Sequence, residues 1–379
     1  MYILEVSYGC PSKKYPSNGN FQLDQAKALE SYGHRVVFAA VDMRSLRRPR
    51  RLGLYRHSVG DIPVYEYNFP MGSFADILRR KIAAHGFGCL LKRILCEEGR
   101  PDIVHVHFAD TAASIVETCR REKIPYVVTE HASSIMDDKK AANQAKMMRY
   151  VYENAASVIA VSQALAAQIE KFTGVKAVVV DNIVDTKVFR LESQKGKIGY
   201  FRFISAGNVE YRKGFDVLVS AFARVCEKYP NCSLLIMGDG AELENIKRQA
   251  AGLTDKVEFS GSFIREEFAH ELNRSNCFVL ASRHETFGVV YAEAMACGVP
   301  VIATRCGGTE GFVNGSNGLM VGVDDVDGLE RAMKCMHDHA TDFDRKEIAA
   351  TAERRFSPYA VAESITKILD RALDCWEAT

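Results

Sequence analysis

Short apolar runs alternate with amphipathic, helix-like segments along most of the chain, a pattern typical of parallel α/β proteins. In the first half, this alternation predicts strands at Tyr2–Val6, Val36–Val41, Ile103–His107, Tyr126–Thr129, Ser157–Val161 and Ala177–Val180. Apolar residues at helical spacing also predict a helix over residues 21–34, and Gly33 is expected to end it.

The same alternation resumes at residue 200. Strands are predicted at Tyr200–Ser205, Ser233–Met237, Lys256–Phe259, Cys277–Ala281 and Pro300–Thr304, and helices at residues 215–228, 241–250, 265–274 and 288–297. A final amphipathic helix is expected to begin where Ser357 precedes Pro358, because proline is favoured in the first helical turn.

These two series of strands and helices predict an α/β fold of two doubly wound, Rossmann-like parallel-sheet domains. Residues 181–199 are polar and charged and interrupt the pattern, so we place the linker there and the domains at 1–185 and 186–357. Ligands of such sheets bind beyond the carboxyl ends of the strands. We therefore expect the domains to face each other and the functional site to lie in the cleft between them.

The composition is that of a soluble globular protein, with 379 residues of which 47% are hydrophobic and 26% charged. The opening residues MYILEVSYG lack the features of a signal peptide, and no apolar stretch approaches the ~20 residues that a membrane-spanning helix needs. The eleven cysteines include no Cys-x-x-Cys pair, which favours reduced thiols and a cytoplasmic location over a disulfide or zinc framework.

The net charge of +1 hides an asymmetry, since residues 1–190 carry 27 Lys+Arg against 20 Asp+Glu while the remainder carries 22 against 28. The basic excess lies in residues 44–57 and 78–93. A solvated face and a surface that docks on anionic lipid, at the inner face of the cell membrane, both fit these segments. No recognisable nucleic-acid module accompanies them, so nucleic acid is not expected as a partner.

The stretch SRHETFGVVYAEAMACGVPVIAT, residues 282–304, places two acids around an apolar, glycine-containing segment. Glu285 follows a predicted strand, and Glu293 lies in surroundings too apolar to bury a carboxylate without partners. The amide hydrogens that begin the predicted helix between them attract anions such as phosphate. Two carboxylates beside an anion site suit a phosphorylated polyol, although spacing alone fits a surface acid and a helix salt bridge equally well.

A cation suited to a diphosphate lies in the loop after the predicted strand Tyr200–Ser205. Lys213 is followed by Gly214 and a helix, and Arg212 adds a second charge, although the eight-residue Walker pattern is absent. Taken alone, this segment fits a phosphate clamp and an exposed loop lysine equally well.

Three segments of the second half resemble glycosyltransferase family 4 in order and spacing: GNVEYRKGFDVLVSAF, LLIMGDGAELENIK and SRHETFGVVYAEAMACGVPVIATRCGGTEGFVNGSNGLMV. In the first half, PDIVHVHF, PYVVTEHASS and VVVDNIVDTKVF resemble the same family more loosely. The resemblance implies GT-B architecture, a retaining mechanism, a Glu-x7-Glu motif, and no cofactor or metal ion. It also implies that the first domain serves the acceptor, that the second binds the nucleotide sugar, and that helix 358–376 packs back on the first.

Carried over by position, the resemblance assigns most donor contacts to the second half. Glu293 would hold the ribose of the nucleotide, Glu285 a hydroxyl of the donor sugar and Lys213 the diphosphate. The residues expected to present backbone amides to the sugar and diphosphate are Phe287, Gly288 and Val289.

The resemblance also implies roles for three residues outside these segments. Gly19, after the first strand, would let the backbone approach the distal phosphate, and Phe263 would flank the base. His131, at the end of YVVTEH, would lie near the donor sugar and the reacting centre. His131 and Glu285 are therefore the predicted catalytic residues.

One departure from the family pattern affects the phosphate site. The family commonly has arginine five residues before the lysine, and this chain has Asn208. Either Arg212 supplies the missing charge or the diphosphate is bound more weakly. Ile183 also replaces a usual glycine, with no consequence expected.

Three weaker patterns favour structural roles. His105 and His107 are interpreted as core or cleft-rim histidines, because no carboxylate is paired with them in the sequence. The acidic pair in Asp325-Val326-Asp327 directly precedes a predicted helix, so capping explains it better than metal binding does. The segment MGDGAE does not complete Gly-x-Gly-x-x-Gly, which disfavours an oxidoreductase.

The resulting prediction is a retaining, metal-independent hexosyl- or related glycosyltransferase. It would move a sugar from a nucleoside diphosphate sugar to a hydroxyl acceptor, a lipid-linked or polysaccharide precursor in cell-surface glycan synthesis. A catalytically silent nucleotide-sugar-binding module and a sugar-nucleotide epimerase remain as alternatives. The base, the sugar and the acceptor stay open, and loops at 44–75 and 132–145 are expected to read the acceptor.

Overall fold

Two separate sheets organise the residues that the computed structural model describes, which are 1–12, 14–15, 18–45, 50–71, 76–192 and 200–377. The chain divides into unit 1, made of Met1–Ile183 and Pro358–Thr379, and unit 2, made of Val184–Ser357. Each unit contains one sheet with helices, as the strand and helix alternation predicted.

The described residues of unit 1 form eight strands and seven α-helices. The strands are β1 Tyr2–Ser7, β2 Arg35–Asp42, β3 Gly53–Val59, β4 Ile62–Asn68, β5 Ile103–His107, β6 Tyr126–Glu130, β7 Ser157–Ala160 and β8 Val178–Val179. Its first six helices are α1 Asn20–Ser31, α2 Asp76–Glu97, α3 Ala109–Ala112, α4 Val116–Glu122, α5 Asp138–Glu153 and α6 Gln163–Thr173.

The sheet of unit 1 has the strand order β3-β4-β2-β1-β5-β6-β7-β8. Only the β3–β4 pairing is antiparallel among the described strands. β1 lies between β2 and β5. The chain therefore continues from β1 to β2 on one side of β1 and later returns to β5 on its other side. The carboxyl ends of β1 and β5 therefore form the switch point where doubly wound sheets bind ligands.

Unit 2 has a six-stranded, all-parallel sheet in the order β11-β10-β9-β12-β13-β14. These strands are β9 Phe201–Ala206, β10 Cys232–Met237, β11 Val257–Gly261, β12 Cys277–Val279, β13 Val301–Thr304 and β14 Gly318–Val321. The helices are α7 Phe215–Lys228, α8 Leu243–Gln249, α9 Arg265–Asn273, α10 Val289–Ala296, α11 Val326–Asp338 and α12 Arg345–Phe356. Its switch point lies between β9 and β12.

The last helix, α13 Pro358–Glu377, belongs to unit 1 and packs against α1. Its buried residues Val361, Ile365 and Leu369 recur every fourth position and join the core cluster of the first sheet. The ring of His34, just after α1, lies 2.8 Å from the Thr366 hydroxyl. Among the described helices, none combines the length and apolar character needed to cross a bilayer.

Two predicted loops were wrong. Residues 53–68 lie in the predicted loop 44–75, but they form the β3–β4 hairpin, and β4 joins the sheet beside β2. Most of the predicted loop 132–145 is a 3-10 turn, Ser133–Met136, followed by α5, which Asp137 caps by accepting two backbone N–H groups. Residues 46–49, 72–75 and 193–199 of the predicted loop and linker lie outside the described residues.

Candidate active site

Two oppositely charged side chains meet at the switch point of unit 2. Lys213 follows β9 and Glu285 follows β12, and the Lys213 Nζ lies 2.6 Å from the Glu285 Oε1. Both side chains are buried, and the Ser282 hydroxyl donates a second hydrogen bond to Oε1 at 2.8 Å. The structure therefore brings together two residues that are 72 positions apart in the sequence and were predicted to act on one ligand.

The turn that carries Lys213 is fixed by its contact with the neighbouring strand end. Residues Tyr211–Lys213 form a 3-10 turn, and Gly214 follows with φ 65° and starts α7. A Cβ on Gly214 would fall 1.9 Å from the carbonyl oxygen of Ala281, so only glycine allows this approach. The Arg283 amide also donates to the Arg212 carbonyl at 2.8 Å, which ties the two loops together.

Arg283, which was not predicted as a site residue, links three segments around the pair. Its guanidinium donates two hydrogen bonds to the Asp216 carboxylate, at 3.0 and 2.8 Å, and one to Asp324 at 2.8 Å. It also donates to the Tyr211 carbonyl and lies 3.9 Å from the centroid of the Tyr211 ring. The hydrogen bonds to Asp216 are the main cause of the raised pKa of Arg283. This buried arginine holds the turn before Lys213 in place.

The segment after Glu285 leads directly into α10. Phe287 is buried between Phe312 and Phe356, with ring centroids 5.0 and 5.7 Å away. Gly288 has φ 90° and is the N-cap of α10, so Val289 is the first helical residue. No side chain caps this helix start, and its first amide hydrogens remain suited to an anion.

Glu293 is buried on the second turn of α10. Its charge is the second cause, after burial, of the raised pKa of about 12 at the Cys297 thiol one turn later. Glu293 thus shares a segment with Glu285, Phe287 and Gly288, as predicted, and is shielded from water.

Three predicted donor residues lie farther out in unit 2. Asn208 is exposed, and Arg212 is partly exposed and donates to the Glu210 carboxylate at 3.2 Å. Phe263 follows the edge strand β11 and packs on Phe268 with a centroid distance of 5.2 Å. Among the described residues, no side-chain hydrogen bond or ion pair joins these three to the Lys213–Glu285 pair.

Gly19 and His131 lie at the switch point of unit 1. Gly19 has φ 73° and precedes α1, and a Cβ there would fall 2.1 Å from the Gly9 carbonyl oxygen. His131 directly follows β6 and is partly buried, with the ring of Phe21 at a centroid distance of 4.8 Å. Its pKa is well below the usual value, mainly because of burial and then because of the nearby His107 and His105.

The interpretation of His105 and His107 as core histidines is confirmed, and the fold gives them a carboxylate partner that is distant in the sequence. Glu5 on β1 lies 2.8 Å from His105 Nδ1 and 2.9 Å from His107 Nε2, and all three side chains are fully buried. Burial opposes ionisation of Glu5, but its interactions with His105 and His107 outweigh burial and lower its pKa to about 2. The sequence feature that could have indicated this partner is the single acid within YILEVS, a strand that is buried throughout and lies next to β5.

A second buried acid, Glu130, fixes the backbone around His131. Its carboxylate accepts hydrogen bonds from the amides of Ala109, His131 and Ala132 and from the Tyr152 hydroxyl, all at 2.8–2.9 Å. Burial nevertheless raises the pKa of Glu130. The turn that carries His131 is therefore held by side chains that sequence patterns did not identify as part of a site.

The capping interpretation of Asp325 is confirmed. Its carboxylate accepts a hydrogen bond from the Gly328 amide at 2.7 Å, at the start of α11.

Comparison with known protein families covers both units. Residues 19–188 match the family model described as Glycosyltransferase Family 4, and residues 200–339 match the model described as Glycosyl transferases group 1. The chain belongs to the family 4 glycosyltransferases. The family supports a sugar-transferring enzyme and not the alternatives of a silent binding module or an epimerase.

This glycosyltransferase is similar over nearly its whole length to proteins of known type. Glycogen synthase from Mycobacterium tuberculosis is 25% identical over 375 residues, which cover 92% of this chain and 89% of that protein. Sucrose-phosphate synthase from Thermosynechococcus elongatus has a TM-score of 0.78 at 20% identity, with 99% of both chains covered. Anabaena HepE in complex with UDP and glucose has a TM-score of 0.71 at 20% identity, covering 97% of this chain and 99% of that one. The two structures establish the GT-B fold of the glycosyltransferase.

Proposed function

We propose that this glycosyltransferase uses a nucleoside diphosphate sugar as donor and holds it in unit 2, at the switch point between β9 and β12. The buried Lys213–Glu285 pair is the observation that carries this proposal. Burying two charged side chains costs desolvation free energy, and uncharged residues could join the two loops without this cost. The buried pair therefore favours a functional role. The uncapped start of α10 beside Glu285 supplies a second anion-binding element.

Each group at this site has a task in the proposed reaction. Lys213 and the amides at the start of α10 stabilise the negative charge that develops on the diphosphate as the glycosidic bond breaks. Glu285 accepts a hydrogen bond from a donor-sugar hydroxyl, and Glu293 accepts from the ribose. Glu285 also keeps Lys213 oriented at 2.6 Å before the donor binds.

The proposed transfer proceeds with retention and without a metal ion. The departing phosphate oxygen takes the proton of the acceptor hydroxyl on the same face of the sugar, so that no side-chain nucleophile is needed. Unchanged activity in EDTA and a product with the anomeric configuration of the donor are expected. Loss of activity in EDTA that added Mg²⁺ restores would overturn the metal-free mechanism.

A donor screen tests the proposal directly. Because HepE was solved with UDP and glucose, UDP-sugars are the first donors to test, followed by GDP- and ADP-sugars. A true donor should raise the melting temperature through mass action, and Lys213→Met should abolish the shift. Lys247→Met is the matched control, since Lys247 is an exposed helical lysine paired with Glu244. An equal donor shift in Lys213→Met would contradict the assigned site.

We further propose that the acceptor is a lipid-linked or polysaccharide precursor reached from the cytoplasmic face of the cell membrane. The support is the basic character of segments 44–57 and 78–93. Part of this charge is compensated within unit 1, because Arg79 and Arg80 of α2 both pair with Asp110, at 2.9 and 3.3 Å. The net attraction to anionic lipid is therefore weaker than the sequence count indicates.

Liposome co-sedimentation tests the membrane proposal. The protein should bind anionic vesicles but not neutral ones, and the double variant Arg79→Gln/Arg80→Gln should bind less. The matched control is Lys247→Gln/Arg248→Gln, an adjacent basic pair on the exposed face of α8. Equal partitioning to anionic and neutral vesicles would overturn the proposal.

A further inference from the structure

Four polar side chains form a continuous hydrogen-bonded series at the switch point of unit 1. Glu5 on β1 lies opposite His105 on β5 in the parallel register. Its Oε1 contacts His105 Nδ1, and its Oε2 contacts His107 Nε2. The other ring nitrogen of His107, Nδ1, lies 3.1 Å from His131 Nε2. The series leads from a fully buried carboxylate to the predicted catalytic histidine.

The positions of the protons in this series follow from donor and acceptor chemistry. An ionised carboxylate only accepts hydrogen bonds, so His105 must carry its proton on Nδ1 and His107 must carry its proton on Nε2. Glu5 is ionised at neutral pH, because its pKa is about 2. The other nitrogen of His105, Nε2, lies 2.6 Å from the Thr129 hydroxyl oxygen.

The same reasoning extends to His131. With its proton on Nε2, a neutral His107 presents a lone pair on Nδ1, and only a protonated His131 Nε2 can donate to it. The Nδ1 of His131 is then unprotonated. A hydrogen bond with the Asn182 side chain raises the pKa of this ring, but burial outweighs it. Burial lowers the pKa of both His107 and His131, which keeps both rings neutral near neutral pH.

We propose that Glu5 is a positioning residue, which fixes the protonated nitrogen of His107 and, through it, holds His131 as a neutral imidazole with its proton on Nε2. The effect on turnover rests on the proposed function. A positive ring beside the reacting centre would oppose the cationic character that a glycosyl group gains in its transition state. A neutral ring of fixed orientation avoids this repulsion.

A metal ion is the competing explanation for the cluster, since ligand atoms of Glu5, His105 and His107 lie within 4.8 Å of one another. Every ring nitrogen of His105 and His107 already has a hydrogen-bond partner at 2.6–3.1 Å. The hydrogen-bonded arrangement therefore satisfies the cluster without an ion. Metal analysis of the purified full-length protein decides between the two.

Nitrogen-15 NMR of the histidine-labelled protein tests the proton positions, because a protonated and an unprotonated ring nitrogen differ widely in chemical shift. In the wild type, His107 and His131 should both be protonated on Nε2, with the His131 signals assigned from their loss in His131→Asn. Protonation of His131 on Nδ1 would overturn the proposal. This measurement needs only the wild-type fold and does not depend on activity. One bound metal ion per chain that Glu5→Gln loses and Glu66→Gln keeps would also overturn the proposal, since Cys10, His57 and Glu66 form a second group that could hold an ion.

The variant Glu5→Gln tests the effect on the reaction. A glutamine amide has one oxygen and cannot accept from both His105 and His107 in the present geometry, so the protons should redistribute along the series. We expect kcat to fall at least tenfold while KM for the donor changes less than twofold. An unchanged kcat, or unchanged nitrogen-15 shifts, would overturn the positioning role.

Glu66→Gln is the matched control. Glu66 is also a buried acid of this sheet that contacts a histidine, His57, at 2.8 Å, but it lies on β4, which β2 separates from β1. The Glu66→Gln variant should leave the nitrogen-15 chemical shifts of His131 and kcat unchanged. If the wild-type shifts are as expected but no nucleoside diphosphate sugar is a substrate, the proton assignment stands and the proposed donor fails.

Discussion

Arg283 and Asp216 form a two-point hydrogen-bonded pair, with guanidinium-to-carboxylate distances of 3.0 and 2.8 Å, that joins the loop after β12 to the first turn of α7. The arginine is buried, whereas the carboxylate is partly exposed. Because Arg283 also donates to the carbonyl of Tyr211, the first residue of the turn that contains Lys213, the pair positions a predicted donor contact without being expected to touch the donor.

Replacing Arg283 by lysine should weaken both stability and donor affinity. Lysine keeps the charge but cannot form the planar two-point contact, and after allowance for the exposed carboxylates we expect a loss of about 1–2 kcal/mol in the free energy of unfolding. KM for the donor should rise roughly tenfold, which corresponds to about 1.4 kcal/mol. Urea unfolding and steady-state kinetics measure the two effects. Arg274→Lys, at an exposed position, is the control, and equal behaviour of both variants would refute the role.

A double-mutant cycle on Lys213 and Glu285 should reveal strong coupling. Lys213→Met leaves the Glu285 carboxylate buried without its cation, and such a loss typically costs about 3–5 kcal/mol. Lys213→Met/Glu285→Gln should cost less than the sum of the single variants, as measured by urea unfolding. All three variants should lose donor binding in calorimetry. Additive stability losses would show that the pair is not energetically coupled.

Gly214→Ala should destabilise the protein more than Gly174→Ala or Gly252→Ala does. The added methyl group would overlap the Ala281 carbonyl at 1.9 Å and force the turn before α7 to move. Gly174→Ala has the same positive φ without a close neighbour, and Gly252→Ala has neither problem. Melting temperatures should fall most for Gly214→Ala, less for Gly174→Ala and little for Gly252→Ala. For Gly174→Ala we expect a loss of about 1 kcal/mol in the free energy of unfolding. Similar melting temperatures for Gly214→Ala and Gly174→Ala would show that the backbone moves enough to remove the overlap with Ala281.

Unit 1 should lose stability as the pH falls below about 6.5. Burial lowers the pKa of His107 and His131 in the folded state, so the unfolded chain binds a proton at each ring at a higher pH than the folded chain does. The free energy of unfolding therefore declines by up to about 1.4 kcal/mol per pH unit for each histidine. Below pH 4.5, Glu5 adds to the loss until its pKa of about 2, whereas Glu130, with a raised pKa, acts in the opposite direction.

The slope of the unfolding free energy between pH 5.5 and 6.5 measures this effect. His131→Asn should reduce it, because of these two rings only His107 then remains to bind a proton more readily in the unfolded chain. His270→Asn, at an exposed position, is the control for removing a histidine. An unchanged slope in His131→Asn would contradict the neutral buried state of that ring.

The parallel strands were predictable because each is short, apolar and bounded by polar residues. Ile103–His107 was predicted with its observed bounds, and β9 and β13 within one residue. The β3–β4 hairpin was missed because β3 is half-exposed and contains Arg56 and His57, so its charges obscured the alternation. Pro63 in β4 further weakened the strand signal.

The candidate site was predictable where one segment carries several functional residues and less so where the fold assembles it. The stretch from Glu285 to Glu293 could be identified from its own composition. The pairing of Arg283 with Asp216 and of Glu5 with His105 depends on strand order, which local patterns do not encode. Knowing that β1 and β5 are neighbours would have been enough to pair that acid with the histidines.

The return of α13 to unit 1 has a consequence for biosynthesis. The first sheet emerges from the ribosome long before Val361, Ile365 and Leu369, which complete its hydrophobic cluster. At about 5–20 residues per second, translation of the intervening unit 2 takes roughly ten seconds or more. During that interval the nascent first unit exposes an apolar groove along α1. Unit 2 is complete at Ser357, before α13 has been synthesised. The second unit in the sequence is thus the first able to reach its native state, and the growing chain is a natural client for a chaperone that shields apolar surface.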